Sequence, residues 1–190
     1  MDGKVDFFMQ RRRNRIMAQR NFAVFAILSA FIVIGCTQKQ APSVVELQRF
    51  PLDSMEGLIT RSGVEIDNQF TSDGKGSLRI TATEPTTVRL FEVSGLNFDN
   101  ARLIYQARIK TEGVTGQAFL EMWCHFPGKG EFFSRGLQNP LTGTADWTTE
   151  ETPFFLKKGE TPDYVKLNLV VNGAGKVWVD DVRLLKAPLQ

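Results

Sequence analysis

The feature that most constrains the fold is an alternation of apolar and polar residues between residues 50 and 185. Short runs rich in β-branched and aromatic residues are separated by Gly, Asn, Asp and Pro, and helical spacing of apolar residues is rare. A period of two residues places successive side chains on opposite faces of a strand. Many short strands separated by turn residues are typical of an antiparallel sandwich. The sequence therefore predicts an all-β, antiparallel β-sandwich, with strands at residues 63–66, 77–83, 87–93, 102–111, 117–125, 131–134, 148–156, 165–171 and 176–185.

A basic stretch precedes an uncharged apolar run near the N-terminal end. Residues 11–15 contain four arginines, and residues 22–35 are apolar apart from Ser29 and end next to Cys36. This order is typical of a secretory signal peptide, and the sequence Val-Ile-Gly-Cys at 33–36 resembles a bacterial lipobox. We therefore expect a lipoprotein-type signal peptide at 1–35, a lipid on Cys36, a flexible tether at 36–48 and one domain at 49–190.

A retained transmembrane anchor is the alternative interpretation of this leader. The uncharged window at residues 21–38 is close to the roughly 20 residues that a spanning helix needs. Both interpretations place the remainder of the chain outside the cytoplasmic membrane, because positively charged flanks stay inside. The predicted location is the cell envelope, with an N-terminal lipid or a single N-terminal helix as the membrane anchor.

Charge and cysteine content narrow the classes of partner. Six of the 23 Lys and Arg residues but only two of the 21 Asp and Glu residues lie in residues 1–35, so the rest of the chain is slightly acidic. A nucleic-acid partner would call for a basic patch or stripe, and none is expected. With Cys36 assigned to lipid, Cys124 has no partner for an internal disulfide, and we expect it to be buried.

Four segments resemble the galactose-binding-like jelly rolls, which include carbohydrate-binding modules of xylanases and glucanases. They are SDGKGSLRI at 72–80, LIYQARIKT at 103–111, GTADW at 143–147 and GKVWVDDVRL at 175–184. The resemblance spans residues 50–185 and implies a jelly-roll β-sandwich. It leaves the activity open, because this fold carries sugar-binding, protein-binding and purely structural modules.

The resemblance also implies one structural Ca²⁺. Asp180 matches the calcium-ligand carboxylate of the family, Gly74 and Gly76 would lie in the turn that offers carbonyl oxygens, and Asp53 or Glu56 could supply a second carboxylate. A calcium ion takes six to eight oxygen ligands. The alternative is that Asp180 ends a solvated strand and that the glycines only form a turn.

The strand at 117–125 has one face that is too aromatic for a plain solvated surface and too polar for a core. That face carries Phe119, Glu121, Trp123 and His125. The opposite face, which is expected to join the core, carries Ala118, Leu120, Met122, Cys124 and Phe126. The same alternation turns polar residues outward from the strands at 102–111 and 165–171. If the three strands share one sheet, its outer surface presents Gln106, Arg108, Glu121, Trp123, His125, Lys166 and Asn168.

That set of side chains suits a sugar. An indole covers the apolar C–H face of a sugar ring, while Glu, Gln, Asn and Arg bind its hydroxyls. The expected partner is therefore a glycan, bound without catalysis by Trp123, Glu121, His125, Arg108, Gln106 and Asn168. In the alternative interpretation Trp123 lies under the loop at 125–136 and the charges pair across strands. The chain would then be a protein-interaction or structural envelope protein, using the same face or Phe132 and Phe133.

Catalysis is not expected. His125 is the only histidine, and Cys124 precedes it on the same strand, so the two side chains point to opposite faces and form no nucleophilic pair. A glycosidase needs two carboxyl groups about 5 to 10 Å apart, and Glu121 has no clear partner on its face.

Overall fold

The computed structural model describes residues 43–189, which form nine β-strands and, over that range, no helix. The strands are β1 (Val45–Phe50), β2 (Val64–Asp67), β3 (Ser77–Ala82), β4 (Thr86–Ser94), β5 (Ala101–Phe126), β6 (Gly130–Arg135), β7 (Leu141–Leu156), β8 (Tyr164–Asn172) and β9 (Gly175–Pro188). All strand pairs are antiparallel.

Strand β5 is shared by two layers. Its first half, residues 101–112, pairs with β9 and β7, and its second half, residues 117–126, pairs with β8 and β6. The first layer continues from β9 to β3, β2 and β1, and the second continues from β8 to β4. Between the halves, Gly116 lies so close to the β8–β9 turn that a Cβ atom would be 1.8 Å from the carbonyl oxygen of Asn172. A residue with a side chain does not fit there, and β5 crosses between the layers at this point.

Both halves of β5 contribute to one hydrophobic core. Leu103 and Tyr105 from the first half, and Leu120 and Met122 from the second, are fully buried in the same cluster. Side chains alternate along a strand, so the outer face of each half is directed away from this common core. Cys124 is also fully buried, as expected, and burial raises the pKa of its thiol to about 12.

The segment after β2 covers the outer face of β9. Trp178 is buried there, donates a hydrogen bond from Nε1 to Asp67 Oδ2 at 2.9 Å, and packs against Phe70 with a centroid distance of 5.1 Å. Burial raises the pKa of Asp67, but hydrogen bonds from Trp178 and from two backbone amides, and the charge of Arg79, bring it below its ordinary value. This covering segment leads into the glycine-containing turn at 72–76.

The predicted all-β antiparallel fold is confirmed, with differences in detail, among them that β7 begins at Leu141 and not at residue 148. The strands predicted at 102–111 and 117–125 are one strand, and β1 was not predicted. Val45 in β1 pairs with Lys186 in β9, so the domain includes residues that the sequence assigned to the tether. The predicted signal peptide, Cys36 and the first part of the tether lie outside the described residues. Among residues 43–189 no helix could serve as a membrane span.

Candidate functional site

A surface pocket of about 340 Å³ opens on the outer face of the second layer. It lies over β4, β8 and the second half of β5, with contributions from β6 and from the loop before β2. Its lining residues are Thr60, Thr87, Arg89, Glu121, Trp123, Glu131, Lys166 and Asn168. Most of these occupy alternate positions on neighbouring strands, which is why they share one face.

One row of polar residues crosses four strands of this layer. Arg135 on β6 is paired with Glu121 on β5, Glu121 with Asn168 on β8, and Asn168 with Arg89 on β4. Directly paired residues of antiparallel strands have Cβ atoms about 4.5 to 5.5 Å apart. The strand register therefore brings together four residues that are distant in the sequence.

Glu121 is the most connected residue of the row. Oε1 accepts hydrogen bonds from Trp123 Nε1 at 2.7 Å and Asn168 Nδ2 at 3.1 Å, and Oε2 accepts one from Arg135 Nε at 2.6 Å. The side chain is buried. Burial raises the pKa of Glu121, but the three hydrogen bonds and the charge of Arg135 outweigh it and hold the pKa below its ordinary value. Glu121 is therefore ionised at neutral pH and fixes the indole and the amide.

The side-chain oxygen of Asn168 accepts no hydrogen bond from the described residues. Its residue exposure is 5%, and its Nδ2 donates to Glu121. Because a carboxylate only accepts hydrogen bonds, this contact fixes the orientation of the amide. Oδ1 then has no hydrogen-bond partner among the described residues. A buried carbonyl oxygen without a donor is unfavourable, and a hydroxyl group entering the pocket would satisfy it.

Trp123 is partly buried and lines the pocket rather than the core. Its ring packs against Phe133, with centroids 5.0 Å apart and planes inclined by 47°, and Arg135 lies over the ring of Phe133 at 4.4 Å. Two contacts expected from the alternative interpretation, in which Trp123 is covered, are therefore observed. β6 contacts the indole, and charges pair across strands. The indole nevertheless remains part of the pocket surface.

A second cluster extends this face beyond Trp123. Lys166 Nζ donates to Glu131 at 2.5 Å, and Tyr164 Oη donates to the same carboxylate at 3.1 Å. The hydrogen bond from Lys166 is the main cause that lowers the pKa of Glu131. His125 stacks on Tyr164 with a centroid distance of 4.6 Å, and its Nδ1 lies 2.6 Å from Asp163 Oδ1. His125 is on the expected face but is not among the residues that line the pocket.

The structure does not place Gln106 and Arg108 on this surface. Both lie on the first half of β5, where Gln106 Nε2 donates to Glu151 Oε2 at 3.2 Å and Arg108 is paired with Thr149 on β7 and Asp180 on β9. The expectation that the three strands share one outer surface is wrong for residues 102–111. The physical reason is the crossing of β5, which places its two halves in different layers.

Four lining residues were not predicted. Thr87 and Arg89 alternate with buried residues on β4, so the period-two pattern could have assigned them to the outer face. Glu131 lies on the edge strand β6 beside Lys166. Thr60 belongs to a loop whose backbone N–H donates to the Arg89 carbonyl at 3.0 Å. Thr60 reaches the pocket through this long-range contact with β4, which no local sequence pattern predicts.

The segments expected to hold calcium meet on the first layer. Asp180 is buried, and its carboxylate oxygens accept hydrogen bonds from the backbone amides of Ser72 at 2.9 Å and Asp181 at 2.7 Å. A Cβ atom on Gly76 would lie 3.1 Å from the Cα atom of Asp53, so these segments are in close contact. Gly74 has φ of 87° in the same turn.

This arrangement is compatible with a cation. Burial, together with the charge of Asp73, raises the pKa of Asp180. The hydrogen bonds that Asp180 accepts lower its pKa, but they offset only part of this rise. No Lys, Arg or His forms an ion pair with Asp180 within the described residues, where the neighbouring Asp181 takes the contacts of Arg49 and Arg183. Over the same range no three His, Cys, Asp or Glu residues cluster as metal ligands, so a calcium ion would depend on carbonyl and hydroxyl oxygens. Glu56 is exposed.

The fold is similar to the jelly-roll fold of several carbohydrate-binding modules. The chain superposes on the CBM22-1 xylan-binding domain of Paenibacillus barcinonensis Xyn10C with a TM-score of 0.56, at 14% identity over 79% of this chain and 99% of that domain. A family 16 carbohydrate-binding module gives 0.51 at 16% identity over 68% and 91%, and a CBM 22 xylan-binding domain gives 0.53 at 11% over 77% and 97%. The predicted galactose-binding-like jelly roll is thereby confirmed. Comparison of the sequence with protein-family models and curated proteins finds no match.

The lowered pKa of Glu121 leads to a prediction about acid stability. A carboxylate whose pKa is lower in the folded protein than in the unfolded chain stabilises the fold above its ordinary pKa, about 4.3 for Glu, and that contribution is lost as the pH falls through the folded-state value. Glu121→Gln should reduce the free energy of unfolding at pH 7 by about 2 kcal/mol, because an amide cannot accept from all three donors. The deficit should shrink below about pH 4.

Urea denaturation of both proteins from pH 7 to pH 3 measures this difference. The matched control is Glu92→Gln, since Glu92 is exposed and outside the pocket. A deficit for Glu121→Gln that stays constant over the whole pH range would show that the charge of Glu121 does not stabilise the fold.

Proposed function

We propose that this chain is a non-catalytic glycan-binding module and that the pocket on the second layer holds the glycan. The observation that carries the proposal is a pocket-lining indole, Trp123, beside the buried amide oxygen of Asn168, which has no donor within the part of the chain that the structure describes. A sugar ring offers an apolar face to the indole and hydroxyl donors to the amide. Structural neighbours described as xylan-binding domains share the fold and support the same class of ligand.

The shape of the surface favours a chain of sugar units over a single sugar. A second depression, of about 300 Å³, shares Thr87 with the first pocket and continues along the same layer past Phe119 and Asn172. Adjacent depressions can each receive one or more units of an extended ligand.

Two features support binding without hydrolysis. The pocket contains the carboxyl groups of Glu121 and Glu131, and the pKa of each is below its ordinary value. Glycoside hydrolysis requires one carboxylic acid whose pKa is raised so that it can protonate the leaving group. In addition, both carboxylate oxygens of Glu121 already accept hydrogen bonds within the protein, three in all.

Trp123→Ala should weaken glycan binding at least tenfold, about 1.4 kcal/mol, because the stacking surface is lost. Affinity electrophoresis in gels that contain soluble polysaccharides, over a broad panel, measures the effect. The control is Phe155→Ala, which removes an aromatic ring that is 57% exposed on β7 and outside the pocket. Thermal unfolding of both variants tests that the fold is kept. If no polysaccharide retards the wild-type protein, the proposal is wrong.

A protein-interaction role is the second candidate, and the exposed rings of β6 favour it. Phe132 and Phe133 are 49% and 52% exposed on β6, whose backbone pairs with β5 alone among the described strands. An unpaired strand edge with apolar side chains can receive a partner. Capture of one specific envelope protein that added glycans do not displace, with no retardation by any polysaccharide, would favour this role.

We propose further that the module is exported and anchored through a lipid on Cys36. The support is the order of basic stretch, apolar run and cysteine in the sequence. Metabolic labelling with a radioactive fatty acid in a bacterial host should label the wild-type protein and Cys124→Ser, but not Cys36→Ser. Cys124 is a suitable control because it is the other cysteine and is fully buried. An unlabelled, uncleaved wild-type protein in the membrane fraction would identify a transmembrane anchor instead.

We also propose that the domain binds one structural Ca²⁺ at Asp180, Asp53 and the turn at 72–76. A cation that binds only the folded state stabilises it by mass action. Millimolar Ca²⁺ should raise the melting temperature of the wild-type protein by several degrees relative to chelator, and should leave that of Asp180→Asn unchanged. Mg²⁺ should have a smaller effect, because it requires a tighter octahedral site. A wild-type melting temperature that does not respond to Ca²⁺ would contradict the proposal.

A further inference from the structure

The charges of the pocket are balanced except at one position. Glu121 is paired with Arg135 at 2.6 Å, and Glu131 with Lys166 at 2.5 Å. The pKa of each carboxyl group is lowered by its own partners, so both pairs remain charged at neutral pH. Within each pair the charges compensate one another, and neither pair needs a ligand for its stability.

Arg89 is the exception. Its backbone N–H donates to Thr60 Oγ1 at 3.0 Å, which fixes this part of β4. Its side chain is exposed and has no hydrogen bond or ion pair within residues 43–189. The nearest acid along β4, Glu92, is paired in register with Lys166 and does not line the pocket. Because Glu121 and Glu131 are held by Arg135 and Lys166, Arg89 contributes a positive charge that no carboxylate contacts within residues 43–189.

Arg89 also faces the unsatisfied acceptor. It is the register partner of Asn168, whose buried Oδ1 finds no donor among residues 43–189. The Cβ atoms of such a pair are about 5 Å apart, so one sugar unit or two adjacent units can contact both. The two groups require complementary chemistry, namely a hydroxyl that donates to Asn168 and an anionic group that accepts from Arg89.

We propose that the ligand is an acidic glycan, with an anionic substituent bound by Arg89 and a neighbouring hydroxyl donating to Asn168. This inference rests on the proposed glycan-binding function. A guanidinium group binds a planar carboxylate through two parallel hydrogen bonds and also recognises sulfate and phosphate groups. The carboxylate of a uronic acid unit and the ester of a sulfated sugar are the two sources of the required charge.

The test compares matched pairs of polysaccharides that differ only in charge. Uronic-acid-bearing xylan, galacturonan and alginate are each used in native and carboxyl-reduced form, and a sulfated glycan is used with and without its sulfate. The ligands are titrated into the full chain in detergent. The wild-type protein should bind the charged member of at least one pair roughly tenfold more tightly, the size expected for one charge-assisted hydrogen-bonding contact. The preference should weaken at about 0.5 M NaCl because salt screens an exposed charge.

Arg89→Gln should remove the preference, so that the charged and uncharged members of the pair are bound with equal affinity. Arg61→Gln is the matched control, because Arg61 is an exposed arginine that directly follows Thr60 and is outside the pocket. It should keep the wild-type preference. The pair that shows the preference identifies a carboxylate or a sulfate as the charged group.

The outcomes separate the two proposals. Equal affinity of the wild-type protein for both members of every pair it binds would overturn the acidic ligand and leave the glycan-binding function standing. A preference that survives in Arg89→Gln would overturn the role of Arg89. Absence of binding to every polysaccharide would overturn the glycan-binding function and the acidic ligand with it.

Discussion

The structure depends on the burial of alternate residues along the whole of β5 in one core. Leu103 and Tyr105 lie in one layer and Leu120 and Met122 in the other, yet all four are fully buried in a single cluster. A fully buried large apolar side chain contributes about 1.5 to 3 kcal/mol. This requirement, with the close approach at Gly116, makes β5 cross between the layers. The crossing then decides which side chains of this strand share a surface.

On the second layer, the same alternation turns Glu121 outward but leaves it buried among its neighbours. Its carboxylate is held by an indole, an amide and a guanidinium before any ligand is present. Ordering a side chain on binding costs about 0.5 to 1.5 kcal/mol, and here Trp123 and Asn168 are already ordered. The pocket is therefore preorganised by a charge that is itself satisfied. Asn168 Oδ1 and the side chain of Arg89 have no hydrogen-bond partner within residues 43–189.

Sequence reasoning predicted the faces of strands better than the relations between them. Alternation correctly turned Glu121, Trp123, Lys166 and Asn168 toward one outer surface, because that property depends only on the local period of two residues. It failed for Gln106 and Arg108, because the strands at 102–111 and 117–125 were predicted as separate strands of one sheet, whereas they are the two halves of β5 in different layers. The contact between Gly116 and the β8–β9 turn is a long-range constraint that no local pattern contains.

The first strand has a mechanical consequence. β1 pairs along its length with β9, and its last residue, Phe50, stacks on Phe91 of β4 with a centroid distance of 3.8 Å and an interplanar angle of 6°. Tension applied to the chain ahead of Val45 is therefore shared between the hydrogen bonds of β1 and one aromatic contact that reaches β4. Phe91 shares β4 with Thr87 and Arg89 of the pocket, so pulling on the N-terminal side would load one strand of the pocket directly through the two stacked rings.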